Sequence, residues 1–264
     1  TMTPETLKQA AAGMIAARDA GGVFNRLPMA LRPGSAEDGY AVQDEVIRQR
    51  GEAGQALAGW KIGCTTKVMQ EMLDLDSPSG GAVLVPNVLA SPASVPASTL
   101  YNPVAECELA IRLASDVPAR TGGHDVASVS AHVGTCMTAI ELAELRHADL
   151  EATHVGELIA DDFFQRAVVL GEERDDWQAL DLAAVTGTTT VNGEVRGQGA
   201  GRDIMGHPFA ALAWLADALA ARGQSLQAGQ IVLTGSMVAA APLKAGETAH
   251  CTIDGLGIVS LAIN

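Results

Sequence analysis

The sequence predicts a mixed α/β protein in which a small helical N-terminal part, residues 1–54, precedes a β-rich core, residues 55–264. Two patterns favour this fold class. Apolar residues recur at helical spacing through the first fifty residues, whereas beyond Gln55 short apolar runs bounded by glycine alternate with turn residues. A content of 48% hydrophobic and 18% charged residues is enough for a packed core and excludes disorder as the main state.

Two helices are predicted in the N-terminal part. In residues 7–17 apolar side chains repeat every three or four positions, and Gly21-Gly22 ends the segment. Ser35 and Asp38 resemble a capping box at the start of a second helix, which continues toward Gly51.

The core is predicted to alternate strands with short helices. Period-two alternation is clearest in residues 106–113, and Asn192-Gly193 is a strong signal for a tight hairpin turn. The predicted helices begin after Thr65 or Thr66, after Asp125 and at His207-Pro208; the predicted strands are residues 56–63, 82–89, 106–113, 136–143, 188–197 with their turn, 231–235, 248–253 and 258–263; residues 91–98 are predicted as a loop.

Charge argues against binding of nucleic acid, and hydropathy argues against a membrane-spanning segment. The chain has 31 acidic and 17 basic residues, a net charge of −14, so it would repel a phosphate backbone and is not expected to bind nucleic acid. No uninterrupted apolar run reaches the ~18 residues of a membrane span. The first residues lack the basic start and apolar stretch of a signal peptide, so a soluble, cytoplasmic protein is expected.

The cysteines are widely spaced and form no C-x-x-C pair. A structural zinc site or a disulfide framework is therefore not expected, and the thiols are predicted to be core or near-core residues. These cysteines are Cys64, Cys107, Cys136 and Cys251.

Three glutamates form the first candidate site. Glu106 and Glu108 lie two apart on a predicted strand, so their carboxylates project from the same face. An E-x-E pair by itself is most often an ordinary solvated face. Glu141, however, interrupts an apolar run, where a carboxylate is costly to bury without a partner. Three carboxylates on two strands suit a hard divalent cation such as Mg²⁺.

Lys61 is the second candidate, in the glycine-bounded strand Gly59-Trp60-Lys61-Ile62-Gly63. A lysine in such a strand either extends its ammonium to water or faces a site, where it holds an anion or transfers protons. The pattern alone leaves both interpretations open.

Taken together, these segments resemble the 2-keto-4-pentenoate hydratase and 4-oxalocrotonate decarboxylase family, within the fumarylacetoacetate hydrolase superfamily. The resemblance runs in order from the N-terminal helices to the end of the chain. The matching segments are residues 59–67 (family pattern G-x-K-I-G-x-T-S-K), 75–81 (D-x-P-x-x-G), 103–108 (P-x-x-E-x-E), 139–142 (the third metal ligand), 199–201, 206–208 and 213–216 (a late helix), and 231–236 and 242–247 (the final strands).

The resemblance implies a fumarylacetoacetate-hydrolase-like core, a mixed β-roll, and a homo-oligomer that could also associate with a pathway neighbour. It implies that Glu106, Glu108 and Glu141 bind Mg²⁺ or Mn²⁺, which in turn binds the substrate. The substrate would be 2-hydroxypenta-2,4-dienoate or a close relative from aromatic meta-cleavage, hydrated at C4 to 4-hydroxy-2-oxopentanoate.

The same resemblance implies roles for four further residues. Lys61 would donate a proton or offset charge on the substrate's 2-oxygen, and Asp76 would orient water or relay a proton. Thr65 and Ser236 would donate hydrogen bonds to the substrate carboxylate.

Other functions remain open at this stage. A 4-oxalocrotonate decarboxylase would use the same residues, and residues 236–242 resemble its version of that segment somewhat more closely. Hydrolysis of an acylpyruvate requires a His–Glu dyad, for which the histidines show no motif. A non-catalytic oxo-acid binder has one supporting feature: Ala160-Asp161-Asp162-Phe163-Phe164 stands where the family usually has A-D-N-A-S. This difference predicts an altered pocket or oligomer contact.

Overall fold

The computed structural model describes residues 1–150 and 152–264. The helices are α1 (Pro4–Ala20), α2 (Ala36–Glu52), α3 (Lys67–Met72), α4 (Val126–Ser130), α5 (Val155–Ala160) and α6 (Pro208–Ala221). The strands are β1 (Leu57–Gly63), β2 (Ser79–Leu84), β3 (Val88–Ala90), β4 (Ala93–Val95), β5 (Pro103–Leu113), β6 (Val133–Glu144), β7 (Gln165–Leu170), β8 (Thr186–Val191), β9 (Glu194–Ala200), β10 (Ile231–Ser236), β11 (Ala241–Pro242), β12 (Thr248–Ile253) and β13 (Gly257–Ile263).

Both N-terminal helices begin at a side-chain cap, and the cap at Ser35 is the one that the sequence predicts. The Thr3 hydroxyl accepts a hydrogen bond from the Thr6 N–H at the start of α1, and the Ser35 hydroxyl accepts one from the Asp38 N–H at the start of α2. The two helices pack through a small apolar cluster that also includes Ala160 at the end of α5. The helical part therefore shares an apolar contact with the core, and the predicted boundary at residue 54 stays a prediction.

Two mixed sheets make up the core. The first has the strand order β2-β1-β10-β5-β6-β7-β3, with β11 beside β5, and the second has the order β4-β13-β12-β8-β9. Most neighbours are antiparallel, but β1 runs parallel to β10, β3 to β7 and β4 to β13. This mixed, β-rich architecture confirms the predicted fold class.

The pleat of β5 divides its side chains between two environments. Cys107, Leu109 and Ile111 are fully buried in the main core with residues of the second sheet and of α6. Glu106 and Glu108 project from the opposite face, which continues into a second apolar cluster beginning at Ala110. The candidate metal ligands therefore lie on the side of the first sheet that faces away from the main core.

One helical segment, Gly201–Ala221, is long and apolar enough to span a membrane by length and composition, with a mean hydropathy of 1.3. It is interrupted by Arg202, Asp203 and Asp217, which is why the sequence shows no uninterrupted run. Eight of the 14 residues of α6 are buried, and Leu212 and Leu219 are fully buried in the main core. Core packing accounts for its apolar character.

Several predicted elements differ from the structure. The strand expected over residues 82–89 is two strands, β2 and β3, because Pro86 lacks an N–H and lies in a 3₁₀ turn between them. The loop expected over residues 91–98 contains β4, which pairs at the edge of the second sheet, where flanking proline is tolerated. Helix α5 was not predicted, because five of its six residues are buried and no periodic pattern marks it.

Candidate metal centre

The predicted glutamates converge on one face of the first sheet. Glu141 on β6 lies directly opposite Glu106 on β5, and Glu108 is the next residue along β5 on the same face. One carboxylate oxygen from each of the three lies within 4.8 Å of the other two. Glu106 is half-buried, whereas Glu108 and Glu141 are fully buried. The fold thus forms a compact cluster of three carboxylates.

The cluster is electrostatically unfavourable without a cation. Burial, together with repulsion from Glu141, raises the pKa of Glu106 to about 7, although Lys61 opposes the shift. Burial and then the other two carboxylates raise the pKa of Glu108 well above its ordinary value, although its Oε2 accepts a hydrogen bond of 2.9 Å from the Gly235 N–H. Both shifts express the cost of holding like charges out of water.

The donor set fits a hard divalent cation. Glu108 Oε1 and Glu141 Oε2 are buried and accept no hydrogen bond from any residue in the described part of the chain. Buried carboxylate oxygens without a partner are costly, and Mg²⁺ or Mn²⁺ is the kind of ion that binds such oxygens. The carboxylates and their unpartnered oxygens are therefore compatible with a metal at this position.

Lys61 contacts the cluster from the neighbouring part of the sheet. Its side chain is 5% exposed, and its Nζ lies 3.0 Å from Glu141 Oε1. The ammonium also donates a hydrogen bond of 3.3 Å to the backbone carbonyl of Phe163. Burial by itself lowers the pKa of Lys61, but the carboxylates, Glu141 first, raise it above its ordinary value. Lys61 is consequently a charged ammonium beside three carboxylates.

Gly81 provides the space that Lys61 occupies. It lies opposite Lys61 on β2, and a Cβ at this position would be 2.9 Å from Lys61 Cδ and 3.1 Å from the backbone oxygen of Asp162. A side chain here would push either the lysine or the turn that contains Asp162.

The other predicted site residues lie at different distances from this cluster. Ser236 is in register with Glu108, and its hydroxyl donates a hydrogen bond of 2.5 Å to the Val238 carbonyl. Thr65 is half-buried against Gly235, where its Oγ1 would be 3.0 Å from a Cβ. Asp76 is exposed between α3 and β2, and no described hydrogen bond or ion pair connects it with the glutamates or Lys61. The fold brings Thr65 and Ser236 to Gly235, whose N–H binds Glu108, and leaves Asp76 exposed.

An apolar wall stands beside Lys61. The Phe163 ring centre is 6.0 Å from Lys61 Nζ, and Phe163 belongs to a cluster built from α5, the following turn and the segment around α3. The Cys64 thiol, in the same cluster, has its pKa raised to about 11 by burial, with Glu106 adding to the shift and Lys61 opposing it. The wall consists of five members of this cluster, of which Phe163 and Cys64 lie close to the lysine: Cys64, Leu73, Leu75, Phe163 and Phe164.

Sequence reasoning missed two buried carboxylates close to Lys61. Asp161 and Asp162 are 0% and 6% exposed and follow the apolar residues Leu158-Ile159-Ala160. The signal that identified Glu141, a carboxylate in an apolar run, was therefore present here too. It was interpreted instead as a difference from the family pattern.

A buried carboxylate cluster with a lysine in contact, on the face of a mixed sheet, defines a candidate metal-dependent enzyme. The fumarylacetoacetate (FAA) hydrolase C-terminal family matches residues 75–264. The chain is 33% identical over 229 residues, 85% of each chain, to 2-hydroxyhexa-2,4-dienoate hydratase of Comamonas testosteroni. It is 30% identical over 258 residues, 98% of this chain and 95% of the other, to 2-keto-4-pentenoate hydratase of Paraburkholderia xenovorans (strain LB400). The chain belongs to the fumarylacetoacetate hydrolase family.

A solved structure supports the fold. The 4-oxalocrotonate decarboxylase from Pseudomonas putida G7, complexed with magnesium and adipate, superimposes with a TM-score of 0.93 over 100% of this chain and 99% of the other, at 24% identity. The likeness covers the N-terminal helices as well as both sheets.

Proposed function

We propose that the protein is a divalent-metal-dependent hydratase that adds water to 2-hydroxypenta-2,4-dienoate, or a close relative, to give 4-hydroxy-2-oxopentanoate. The observation that carries this proposal is the buried cluster of Glu106, Glu108 and Glu141 with the Lys61 ammonium in contact. Relatives named as hydratases that cover 85% or more of the chain support the reaction type.

In this proposal Glu106, Glu108 and Glu141 bind Mg²⁺ or Mn²⁺, with Mg²⁺ as the first choice because all three ligands are hard carboxylate oxygens. When bound, the cation supplies positive charge that stabilises negative charge developing on the substrate's oxygens.

Lys61 is proposed to be the proton donor or the electrostatic partner of the substrate's 2-oxygen. In the protein alone, Glu141 is the main group that raises its pKa. Once Glu141 is engaged in binding a cation, the ammonium loses part of that support and becomes a better proton donor. The hydrogen bond from the Lys61 ammonium to the Phe163 carbonyl keeps the ammonium beside the carboxylate cluster.

Three further residues complete the proposed site. Thr65 and Ser236 both lie next to Gly235, whose N–H binds Glu108, and are proposed to donate hydrogen bonds to the substrate carboxylate. For Ser236 this requires release of its bond to the Val238 carbonyl. Asp76 is exposed and is proposed to orient the attacking water or relay a proton from solvent.

The apolar wall favours hydration over decarboxylation. A 4-oxalocrotonate decarboxylase must accommodate a second substrate carboxylate, which requires a cationic partner or a strong donor. Four of the five wall residues have apolar side chains, and burial raises the pKa of the fifth, the Cys64 thiol, to about 11, so the wall itself offers no charge to a carboxylate at pH 7. A substrate with a short uncharged tail fits this surface better. The decarboxylase remains the second candidate because of its overall likeness in fold.

The test follows dienoate absorbance and CO₂ release together, with Mg²⁺, with Mn²⁺ and after chelation. Metal-dependent loss of the dienoate without CO₂ is expected, with Glu108→Gln inactive and the exposed Glu194→Gln active. CO₂ release from 4-oxalocrotonate in preference to hydration would establish the decarboxylase instead. Equal turnover by Glu108→Gln would contradict the proposed site.

A further inference from the structure

Residues 162–164 form a left-handed turn next to Lys61. Asp162, Phe163 and Phe164 have φ angles of 50°, 47° and 69°. This conformation is unfavourable for residues that carry a Cβ, and three in succession are rare. The turn therefore has to be held in place by its surroundings.

Asp162 is fixed from the core and from the second helix. Its Oδ1 accepts hydrogen bonds from the Ala82 N–H at 2.8 Å and from Gln43 Nε2, on α2, at 3.0 Å. Its Oδ2 lies 3.6 Å from Arg18 Nη2, on α1. Both N-terminal helices thus contact this carboxylate.

Asp161 is fixed by two arginines and a histidine. Its Oδ1 accepts from Arg18 Nε at 2.8 Å and from Arg146 Nη2 at 2.7 Å, and its Oδ2 lies 3.1 Å from His147 Nε2. Although burial raises it, the pKa of Asp161 is held below its ordinary value by Arg18, His147 and Arg146. Arg18 Nη2 additionally donates to the Asp161 backbone carbonyl. Arg18 therefore contacts both carboxylates and the backbone of the segment leading into the turn.

The turn presents two groups to the catalytic lysine. The Phe163 carbonyl accepts the hydrogen bond from Lys61, and the Phe163 ring covers the ammonium at 6.0 Å. Gly81 leaves room for the turn and the lysine side by side. A change in the turn would therefore move the partner that orients Lys61.

We propose that Arg18 is a positioning residue for Lys61: it holds the left-handed turn so that the Phe163 carbonyl fixes the ammonium beside the carboxylate cluster. The effect that this inference predicts on turnover rests on the proposed function. The effect that it predicts on the position of Lys61 does not. It gives the helical N-terminal part, which contributes no metal ligand, a role in the chemistry of the core.

Arg18 is a suitable residue to change because the structure retains other supports. The N-terminal helices pack through an apolar cluster that includes Met14 and Val42, and Asp161 keeps Arg146 and His147 as partners. Arg50 is a matched control: it lies on α2 of the same helical part and its guanidinium bonds Asp19 instead of the turn.

The experiment compares Arg18→Met and Arg50→Met by amine labelling with peptide mass spectrometry and by steady-state kinetics. The exposed lysines Lys8, Lys67 and Lys244 serve as internal references for labelling. In Arg18→Met the labelling rate of Lys61 is expected to rise roughly tenfold or more, because a buried amine reacts only when its surroundings open. The kcat of Arg18→Met is expected to fall by about 10²-fold, as when a reacting group is slightly misplaced. Its KM should stay within about threefold of the parent value.

Arg18→Lys supplies a second measurement if Arg18→Met does not fold. It keeps the charge but cannot form the forked contact, so intermediate labelling and intermediate kcat are expected. Lys61 labelling and kcat within about twofold of the parent in the folded Arg18 variants would overturn the proposal, as would equal changes in Arg50→Met. Absence of turnover in the parent protein would refute the proposed function, and the labelling contrast would still decide the role of Arg18.

Discussion

Replacing Lys61 with methionine tests the electrostatic account of the site most fully. The ammonium is buried, 3.0 Å from Glu141 Oε1, and it is the cation that offsets three neighbouring carboxylates. Removing one partner of a buried ion pair typically costs about 3–5 kcal/mol. We expect the lower end, about 3 kcal/mol, for the metal-free protein, because Glu106 and Glu108 have raised pKa values and can take up protons that relieve the repulsion.

The same substitution has a different expected effect when Mg²⁺ is present. Metal affinity should increase by roughly 30-fold, which corresponds to about 2 kcal/mol, because Lys61→Met removes a like charge from beside the cation while all three glutamates remain. The bound ion then replaces the ammonium as the partner of Glu141, so the loss of stability should shrink to about 1 kcal/mol. The kcat should nevertheless fall by about 10²–10⁴, the range for one positioned acid–base group.

The assay is denaturant unfolding with and without Mg²⁺, combined with dienoate turnover. Lys67→Met is the control, since Lys67 is exposed on α3 and its ammonium contacts Gln70 at 3.2 Å. A Lys61→Met protein that is equally destabilised with and without metal would refute the reasoning about Glu141. A variant that turns over within a few-fold of the parent would show that Lys61 is structural, and Asp76 would then be the first alternative as proton carrier.

The remaining predictions concern the turn, the glycine beside the lysine and the assembly. Burial raises the pKa of Asp162 to about 6, so the folded protein holds this proton more tightly than the unfolded chain and loses stability as pH rises from about 4 to about 6. Residue 162 cannot titrate in Asp162→Asn, so the free energy of unfolding of this variant relative to the parent should rise by up to about 3 kcal/mol between about pH 4 and about pH 6. Above that range the difference should stay constant. A difference that does not change with pH would contradict the raised pKa of Asp162. Gly81→Ala should lower kcat and the free energy of unfolding, whereas Gly80→Ala, whose Cβ would meet the end of Leu215 at 3.3 Å, should change both little; equal effects would argue against a specific role for Gly81. Light scattering should give a particle larger than the 27.1 kDa chain, and a particle of that mass at micromolar concentration would count against the predicted homo-oligomer.

The sequence indicated the three glutamates of the carboxylate cluster because local patterns mark them, and their role as metal ligands stays a prediction. Glu106 and Glu108 are marked by the period-two alternation of β5, and Glu141 by the apolar run that it interrupts. Their convergence depends on the pairing of β5 with β6, which joins residues about 35 positions apart and is set by tertiary packing. The contact between Lys61 and Glu141 needs the parallel pairing of β1 with β10, which no local pattern encodes.

What the sequence could not provide was the support around Lys61. Asp161 and Asp162 contact Arg18 and Arg146, which are distant in the chain, and a left-handed turn built without glycine gives no local signal. The prediction of one continuous strand over residues 82–89 was wrong for a local reason, because Pro86 interrupts it. Residues held by tertiary contacts were missed, whereas residues marked by burial and periodicity were found.

The most direct test of the central claim is calorimetric titration of the metal-free protein with Mn²⁺ and Mg²⁺, comparing the parent with Glu141→Gln and with the exposed Glu194→Gln. We predict one divalent cation per chain for the parent and Glu194→Gln, and an affinity reduced by more than about 10²-fold in Glu141→Gln, beyond the range typical for loss of an outer-shell partner. Undiminished metal binding by Glu141→Gln, or no binding by the parent, would contradict the assignment of the three glutamates as the metal centre.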